Sequence, residues 1–383
     1  MKRYKLSTIA DFNASALSAK TVMPIIQYLD TSSITENSIE GFQTLSRSDA
    51  PSRAKRRVKD STIIYSTVRP RLKHFGILNH PDENLIVSTG FVTIDIKDEY
   101  IEEIDPYYLY CLLTRNEITD YLGTIADTAV TSYPSINPSD VEDLEFDFPE
   151  IKEQRALASV LRSIDDKICI HKKICGQLEN RARYLYDYYF NNVRLSHNGW
   201  DVSTVKEQYD ILFGYPFSTE LFTEEETDIP VIRIRDILTR TISAYSNEDV
   251  DNKYLLFAED LIIGMDGNYH MNLWDGKKAY LNQRSCRIRK NGILTTKYLQ
   301  YQIEPYIKAK EDQAKGSTVG HLSNDEIRNL PVLIPPHDII KEFNSIVEPI
   351  VEQQITLSQS IEQLVRLRVW MLPVMINGHL NLS

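Results

Sequence analysis

Val141-Glu142-Asp143-Leu144-Glu145-Phe146-Asp147-Phe148-Pro149 closes the first half of this chain and leads into a long helical pattern. Ile327-Arg328-Asn329-Leu330-Pro331-Val332-Leu333-Ile334-Pro335 does the same 186 residues later, ahead of a second such pattern. The beginnings correspond too. Tyr4-Lys5-Leu6-Ser7-Thr8-Ile9 resembles Trp200-Asp201-Val202-Ser203-Thr204-Val205 at an offset of 196 residues. Solenoid repeats have much shorter periods, so this is a duplicated module. Two related modules on one chain suit a protein that grips two related things at once.

Each module opens strand-rich. Ser61-Thr62-Ile63-Ile64-Tyr65-Ser66 and Phe91-Val92-Thr93-Ile94-Asp95-Ile96 are β-favouring runs with turn residues at their ends. Pro106 opens a helix at Pro106-Tyr107-Tyr108-Leu109. The second module keeps the order. Ile229-Pro230-Val231-Ile232 mirrors Met23-Pro24-Ile25-Ile26, and Asp260 to Gly264 mirrors Asp60 to Ile64. Thr296-Lys297-Tyr298-Leu299 mirrors the helix opening at Pro106.

Between the modules, Leu157, Leu161, Ile164, Ile168, His171, Cys175, Leu178, Ala182, Leu185 and Tyr189 alternate spacings of four and three over 33 residues. That is a heptad seam, on a helix about 50 Å long at ~1.5 Å per residue. Phe343, Val347, Ile350, Gln354, Leu357, Ile361, Leu364, Arg368 and Met371 repeat it, with Gln354 and Arg368 as polar interruptions. Pro349 predicts a kink or restart, and Pro373 with Gly378 an end. One seam cannot be buried alone, so the two are expected to pair antiparallel. The predicted fold is α+β: two mixed α/β domains, at 1–149 and 196–335, separated by long antiparallel coiled-coil helices at 150–195 and 336–383.

With 42% hydrophobic and 25% charged residues the composition is that of a soluble globular protein. No apolar run is long enough for a membrane span and no signal core follows the basic N-terminus, so the expected location is the cytoplasm. The four cysteines have no metal-ligand spacing. The net charge of −11 argues mildly against nucleic acid, but it is unevenly spread, and local potential governs contact. Nine Lys and Arg against two acids lie between Arg47 and Lys73, and six against one between Asp275 and Lys290.

Catalytic signatures are scarce. There is no phosphate-binding Gly-rich loop, no nucleophile elbow, and no Asn/Asp-Pro-Pro-aromatic tetrapeptide of an amino-methyltransferase. Asp82, Asp95 and Lys97 loosely fit a metal-nuclease arrangement, in which carboxylates hold a divalent ion that activates water. The second module has Arg287-Ile288-Arg289 there instead.

Taken in order, these features resemble the specificity subunit of type I restriction–modification systems. The resemblance rests on the doubled domain-plus-helix plan and on Asp60 to Pro70 followed by Ser88-Thr89-Gly90-Phe91. It rests also on Phe148-Pro149-Glu150-Ile151-Lys152-Glu153-Gln154, on Gly316-Ser317-Thr318-Val319, and on the tail from Leu364 to Leu380 with its Leu-x-x-Leu-Arg run. The second helix start, Pro335-Pro336-His337-Asp338-Ile339-Ile340, departs from the pattern in lacking the Glu-Gln pair.

The resemblance implies a non-catalytic subunit. Each target-recognition domain would read one half of a bipartite, asymmetric double-stranded DNA site. The helices would set the spacing and dock two methyltransferase subunits, and a motor-nuclease subunit would join for restriction. It implies no cofactor in this chain; S-adenosylmethionine belongs to the methyltransferase partner.

Arg can read guanine, Asn can read adenine, and Lys and Thr mostly hold phosphate. On this basis the candidate DNA contacts are Arg53, Lys55, Arg56, Arg57, Arg69, Arg71 and Lys73 in the first domain. In the second they are Arg233, Arg235, Asn268, Tyr269, His270, Lys277, Lys278, Arg284, Lys315, Thr318 and His321. The expected spacer and partner-docking positions are Leu157, Leu161, Ile164, Ile168, Leu178, Leu185, Leu357, Ile361 and Leu364. The competing readings are a structural coiled-coil adaptor, the metal nuclease above, and a specificity module of a methylation-only or other phage-defence assembly.

Overall fold

In a computed structural model of the chain, Phe91–Ile96 is a strand buried along its whole length. It lies between Ala10–Phe12 and Thr62–Ser66, with Phe75–Leu78 beyond, and every neighbouring pair is antiparallel. Its run of Val, Thr and Ile suits a pleated strand covered on both faces. The structure describes residues 1–18, 21–128, 134–191, 200–226, 228–267, 269–314 and 320–376. These form two compact units: Met1–Cys169 with Leu364 onward, and Ile170–Gln363.

The second unit rebuilds the same sheet. Tyr209–Phe213, Ser285–Lys290, Leu261–Gly264 and Met271–Leu273 follow in the same order, again all antiparallel. Each unit also has a second four-stranded sheet around one parallel pair. In unit 1 the pair is Ile25–Leu29 with Leu85–Ser88, and in unit 2 it is Ile229–Ile232 with Tyr280–Leu281. The stretches quoted at the outset are the closing strands. Glu145–Phe148 pairs with Lys2–Lys5, and Pro331–Ile334 with Asp201–Thr204. Leu6 N–H donates to Leu144 O at 2.9 Å and Val205 N–H to Leu330 O at 3.1 Å, the same bond in both copies. Each domain's first strand thus lies beside its last, and a long helix leaves from that point.

The two departures differ in chemistry. In unit 1 Gln154 is fully buried. Its Oε1 accepts from Asp105 N–H at 3.0 Å, and its Nε2 donates to Glu103 O and Pro149 O, both at 2.8 Å. One amide thereby satisfies three backbone groups that would otherwise be costly to bury. In unit 2 the corresponding residue is Ile340, 1% exposed. Gln302 supplies the polar link instead: it accepts from Leu333 N–H at 3.1 Å and donates to Tyr298 Oη at 3.0 Å. The missing Glu-Gln pair is replaced by a neighbouring amide.

The central helix, Ile151–Tyr186, runs on into a π-turn at Asp187–Asn191. The C-terminal helix, His337–Ile376, is uninterrupted. The helix therefore does not restart at Pro349, and it continues past Pro373 to Ile376, the last described residue. Both prolines are exposed, as are Ser345 and Val369, whose carbonyls lose their helical partners. Water can satisfy those carbonyls, so each proline costs the helix less than a buried one would. Gly378 lies outside the described residues.

Within unit 2, Tyr189 Oη donates to Glu342 at 2.9 Å and Gln354 Nε2 to Glu179 at 3.1 Å. Central-helix numbers fall as C-terminal-helix numbers rise, so the two helices run antiparallel, as expected. Ala182, Tyr186, Phe190, Phe343, Val347, Ile350 and Val351 are buried there, with Leu178 and Leu185 packed against them. Within unit 1, Leu157, Ala158 and Leu161 share a core with Leu372. Ile164 and Ile168 are buried, while Leu357, Ile361 and Leu364 are half-buried.

The polar interruptions of the seam are cross-links. In unit 1 Arg368 Nε lies 2.5 Å from Asp165 Oδ1, whose other oxygen accepts from Tyr107 Oη at 2.5 Å. In unit 2 Glu179 accepts from Gln354, from Lys297 Nζ at 2.7 Å and from Tyr301 Oη at 2.8 Å. Burial alone would raise the Glu179 pKa, but the Lys297 ammonium and these hydrogen bonds outweigh it and hold the carboxyl below its ordinary value. Each cross-link joins both long helices and the domain helix packed on them.

Candidate nucleic-acid interface

In each unit, the chain leaving the second strand of the main sheet meets the chain entering the domain's last short helix. In unit 1 Ile136 N–H donates to Thr67 O and Arg69 N–H to Pro134 O, both at 2.9 Å, with Val68 bridged to Ser135. In unit 2 Leu322 N–H donates to Met265 O at 2.8 Å and Gly267 N–H to Gly320 O at 3.1 Å, with Asp266 bridged to His321. Backbone architecture is shared; side chains are not. Gly267 has a φ of 69° and Arg69 a φ of 47°, so both copies need a left-handed residue at this turn.

The unit 2 version gathers residues far apart in sequence. His321 Nδ1 lies 2.5 Å from Asp266 Oδ1, and Arg284 Nη1 donates to Asp266 Oδ2 at 2.7 Å. Arg284 and His321 remain mostly exposed. Burial works to raise the Asp266 pKa, but the His321 hydrogen bond and the Arg284 charge outweigh it and keep the carboxyl below its ordinary value. His270 Nδ1 lies 3.2 Å from Ile234 O, and Tyr269 is 5% exposed in the domain core. Asn268, Lys315 and Thr318 lie outside the described residues.

Other candidates of this domain lie outside that cluster. Arg233 is tied to Asp236 and Ser243, whereas Arg235 is exposed. Lys277 is tucked against Glu362 at 2.9 Å and Asp275 at 3.5 Å, while Lys278 is exposed.

In unit 1 the basic residues fall into two groups. Arg69, Arg71 and Lys73 sit on the turn after Thr62–Ser66. Arg71 pairs with Asp127, and Lys73 with Glu36 at 3.0 Å and Asn116 at 3.1 Å. Arg53, Lys55, Arg56 and Arg57 belong to the strand Ala54–Arg57 and its approach, paired antiparallel with Leu85–Ser88 through a bulge at Val87/Ser88. Arg53 is held by Asp30 at 2.8 Å, and Lys55 and Arg57 are exposed. Arg56 is half-buried, its Nε has no partner among the described residues, and burial lowers its pKa. The acids that orient these cations, Asp30, Asp127 and Glu36, are distant in the chain and carry no local signal.

The loose nuclease constellation is employed otherwise. Asp95 is buried, accepts from Thr62 Oγ1 at 2.6 Å and has its pKa raised by burial. Lys97 Nζ donates to Ser7 O and Thr8 O at 3.0 and 2.8 Å. Asp82 is exposed in a turn. Among the described residues no three His, Cys, Asp or Glu side chains converge to hold a metal ion. No helix there is long and apolar enough to cross a membrane.

With that geometry the sequence matches the type I restriction modification DNA specificity domain twice, over residues 5–180 and 197–366. The chain belongs to that family. The specificity subunit of type I restriction enzyme EcoBI from Escherichia coli is 28% identical over 205 residues, which are 52% of this chain and 43% of that protein. The match thus spans less than half of that relative's length. The specificity subunit of MjaIX from Methanocaldococcus jannaschii is 25% identical over 347 residues, 84% of this chain and 78% of that protein. A crystal structure of a type I restriction-modification system S subunit from M. genitalium covers 98% of this chain and 95% of its own, with a TM-score of 0.55 at 15% identity. That last likeness is one of fold alone.

Proposed function

We propose that this chain is the sequence-reading subunit of a type I restriction–modification complex. Domains 1–149 and 196–335 each read one half of a bipartite, asymmetric double-stranded DNA site. The helices at 150–195 and 336–383 set the spacing and dock two methyltransferase subunits. Those partners bring S-adenosylmethionine and methylate adenine, a motor-nuclease subunit joins for restriction, and this chain performs no chemistry. One observation carries the reading: the same pair of loops is built twice on the same strands, with Val68 and Ser135 in one copy and Asp266 and His321 in the other. Two half-sites of different sequence call for that combination. Arg284 and His321, fixed by one carboxylate yet exposed, are suited to meet base edges or phosphate.

Two outcomes follow. Replacing Asp266 by Ala releases Arg284 and His321, so the half-site read by 196–335 should relax while the other half stays intact. Mapping methylated motifs in cells with the variant and its methyltransferase checks this; relaxation of both halves together would count against separate readers. Replacing Arg53, Arg56 and Arg57 together by Ala should weaken DNA binding and flatten its salt dependence by about 0.9 log units per lost phosphate contact. An unchanged slope in a salt titration would remove this strand from the interface.

A further inference from the structure

Unit 2 contains a cavity of about 360 Å³ that is separate from the paired loops. It opens among the central helix, the C-terminal helix and the domain packed on them. Two cations line it, Arg240 and Lys297. Lys297 is 4% exposed and is matched by Glu179 at 2.7 Å. Arg240 has no such match. Its Nε donates to Leu273 O at 2.8 Å and its Nη2 to Asn272 Oδ1 at 2.9 Å, both neutral acceptors. Among the described residues no carboxylate forms an ion pair with it. Asp275, the nearest in electrostatic effect, is bonded to Ser358 at 2.9 Å and paired with Lys277 at 3.5 Å.

Arg240 is half-buried, and even partial desolvation without a paired counter-charge is costly. Burial does depress the Arg240 pKa. A φ of 55° holds the residue in the left-handed region, a conformation that costs free energy for a side chain of this size. Gln300, also in the lining, accepts from Lys297 Nζ at 3.1 Å through its Oε1. Arg240 and Gln300 thus bring guanidinium and amide N–H groups to the cavity lining. Met271, Val351 and Ile355 add apolar surface to the lining. The volume is that of a small-ligand site.

We infer that this cavity binds a small organic anion, a single carboxylate or phosphate on a short aliphatic body, with the charge against Arg240 and Gln300 and the body against Val351 and Ile355. Binding there would fill the junction of both long helices with the domain, and it is independent of DNA reading.

Hexanoate, 1-hexanol and inorganic phosphate are suitable probes, titrated into the full chain by calorimetry and thermal unfolding. Hexanoate should bind saturably with a Kd of roughly 0.1–1 mM and raise the Tm. Hexanol, the same body without charge, and phosphate, the charge without a body, should each bind about tenfold more weakly or worse. Arg240→Gln should lose hexanoate binding and Arg240→Lys keep most of it. Because Arg240→Gln also breaks the bond to Leu273 O, Gln300→Glu provides a second arm. It places a carboxylate beside the one the ligand brings, where it can neutralise Arg240 and repel an anion, so it should raise the Tm of the free protein and abolish hexanoate binding. No saturable binding below ~10 mM, equal binding of hexanol, phosphate as tight as hexanoate, or undiminished binding by Gln300→Glu would each overturn the proposal.

Discussion

Arg368→Ala should destabilise unit 1 strongly, lowering its stability by about 3–5 kcal/mol. The side chains of Arg368 and Asp165 are 18% and 15% exposed, and they meet at 2.5 Å. Removing the guanidinium strands a desolvated carboxylate whose remaining hydrogen bond comes from Tyr107. Removing one partner of a buried pair costs far more than the pair contributes over apolar residues of the same shape. At ~2–4 °C per kcal/mol for a unit of this size, the thermal transition should fall by on the order of 10 °C. The effect should be local. Hydrogen exchange should report faster opening of 364–374 and of the helix Pro106–Leu113, while Tyr298 and Phe343 in unit 2 keep their protection. A transition that moves by ~1 °C, within the range of an ordinary surface substitution, would mean that the C-terminal helix is not clasped to the first domain in this way.

The second large effect concerns spacing. Seven residues added to each long helix, between Cys169 and Ile170 and between Gln363 and Leu364, preserve the heptad phase and leave both compact units intact. Seven residues lengthen a helix by about 10 Å, on the order of three base pairs at ~3.4 Å each. If the helices act as a ruler, the methylated motif should keep both half-sites and widen its gap by that amount. An unchanged gap, with both half-sites still read, would show that the spacing is set elsewhere.

Much of this was legible in the residues. The identical backbone bonds at Ile136 and Leu322 lie where the repeat aligned the two halves, whereas at the domain starts the fold sets Leu6 opposite Val205, three residues beyond the Val202 that the sequence match paired with it. The runs at Thr62, Phe91 and Leu261 are strands because β-branched residues fill positions covered on both faces. The seam over 157–189 is helical for the converse reason, its period. What stayed hidden was long-range. Gln354 and Arg368 looked like defects in a hydrophobic stripe because Glu179 and Asp165, their partners, are far away in sequence. Pro349 looked like a break because local rules do not say whether water reaches the carbonyl of Ser345. The cluster of Asp266, Arg284 and His321 needed three loops to be folded before it existed.

Mapping methylated adenine in cells that express the chain with its methyltransferase tests the central claim most directly. The account predicts one motif made of two short, dissimilar half-sites separated by a fixed unread gap. A continuous motif, or none in the presence of a competent methyltransferase, would contradict it.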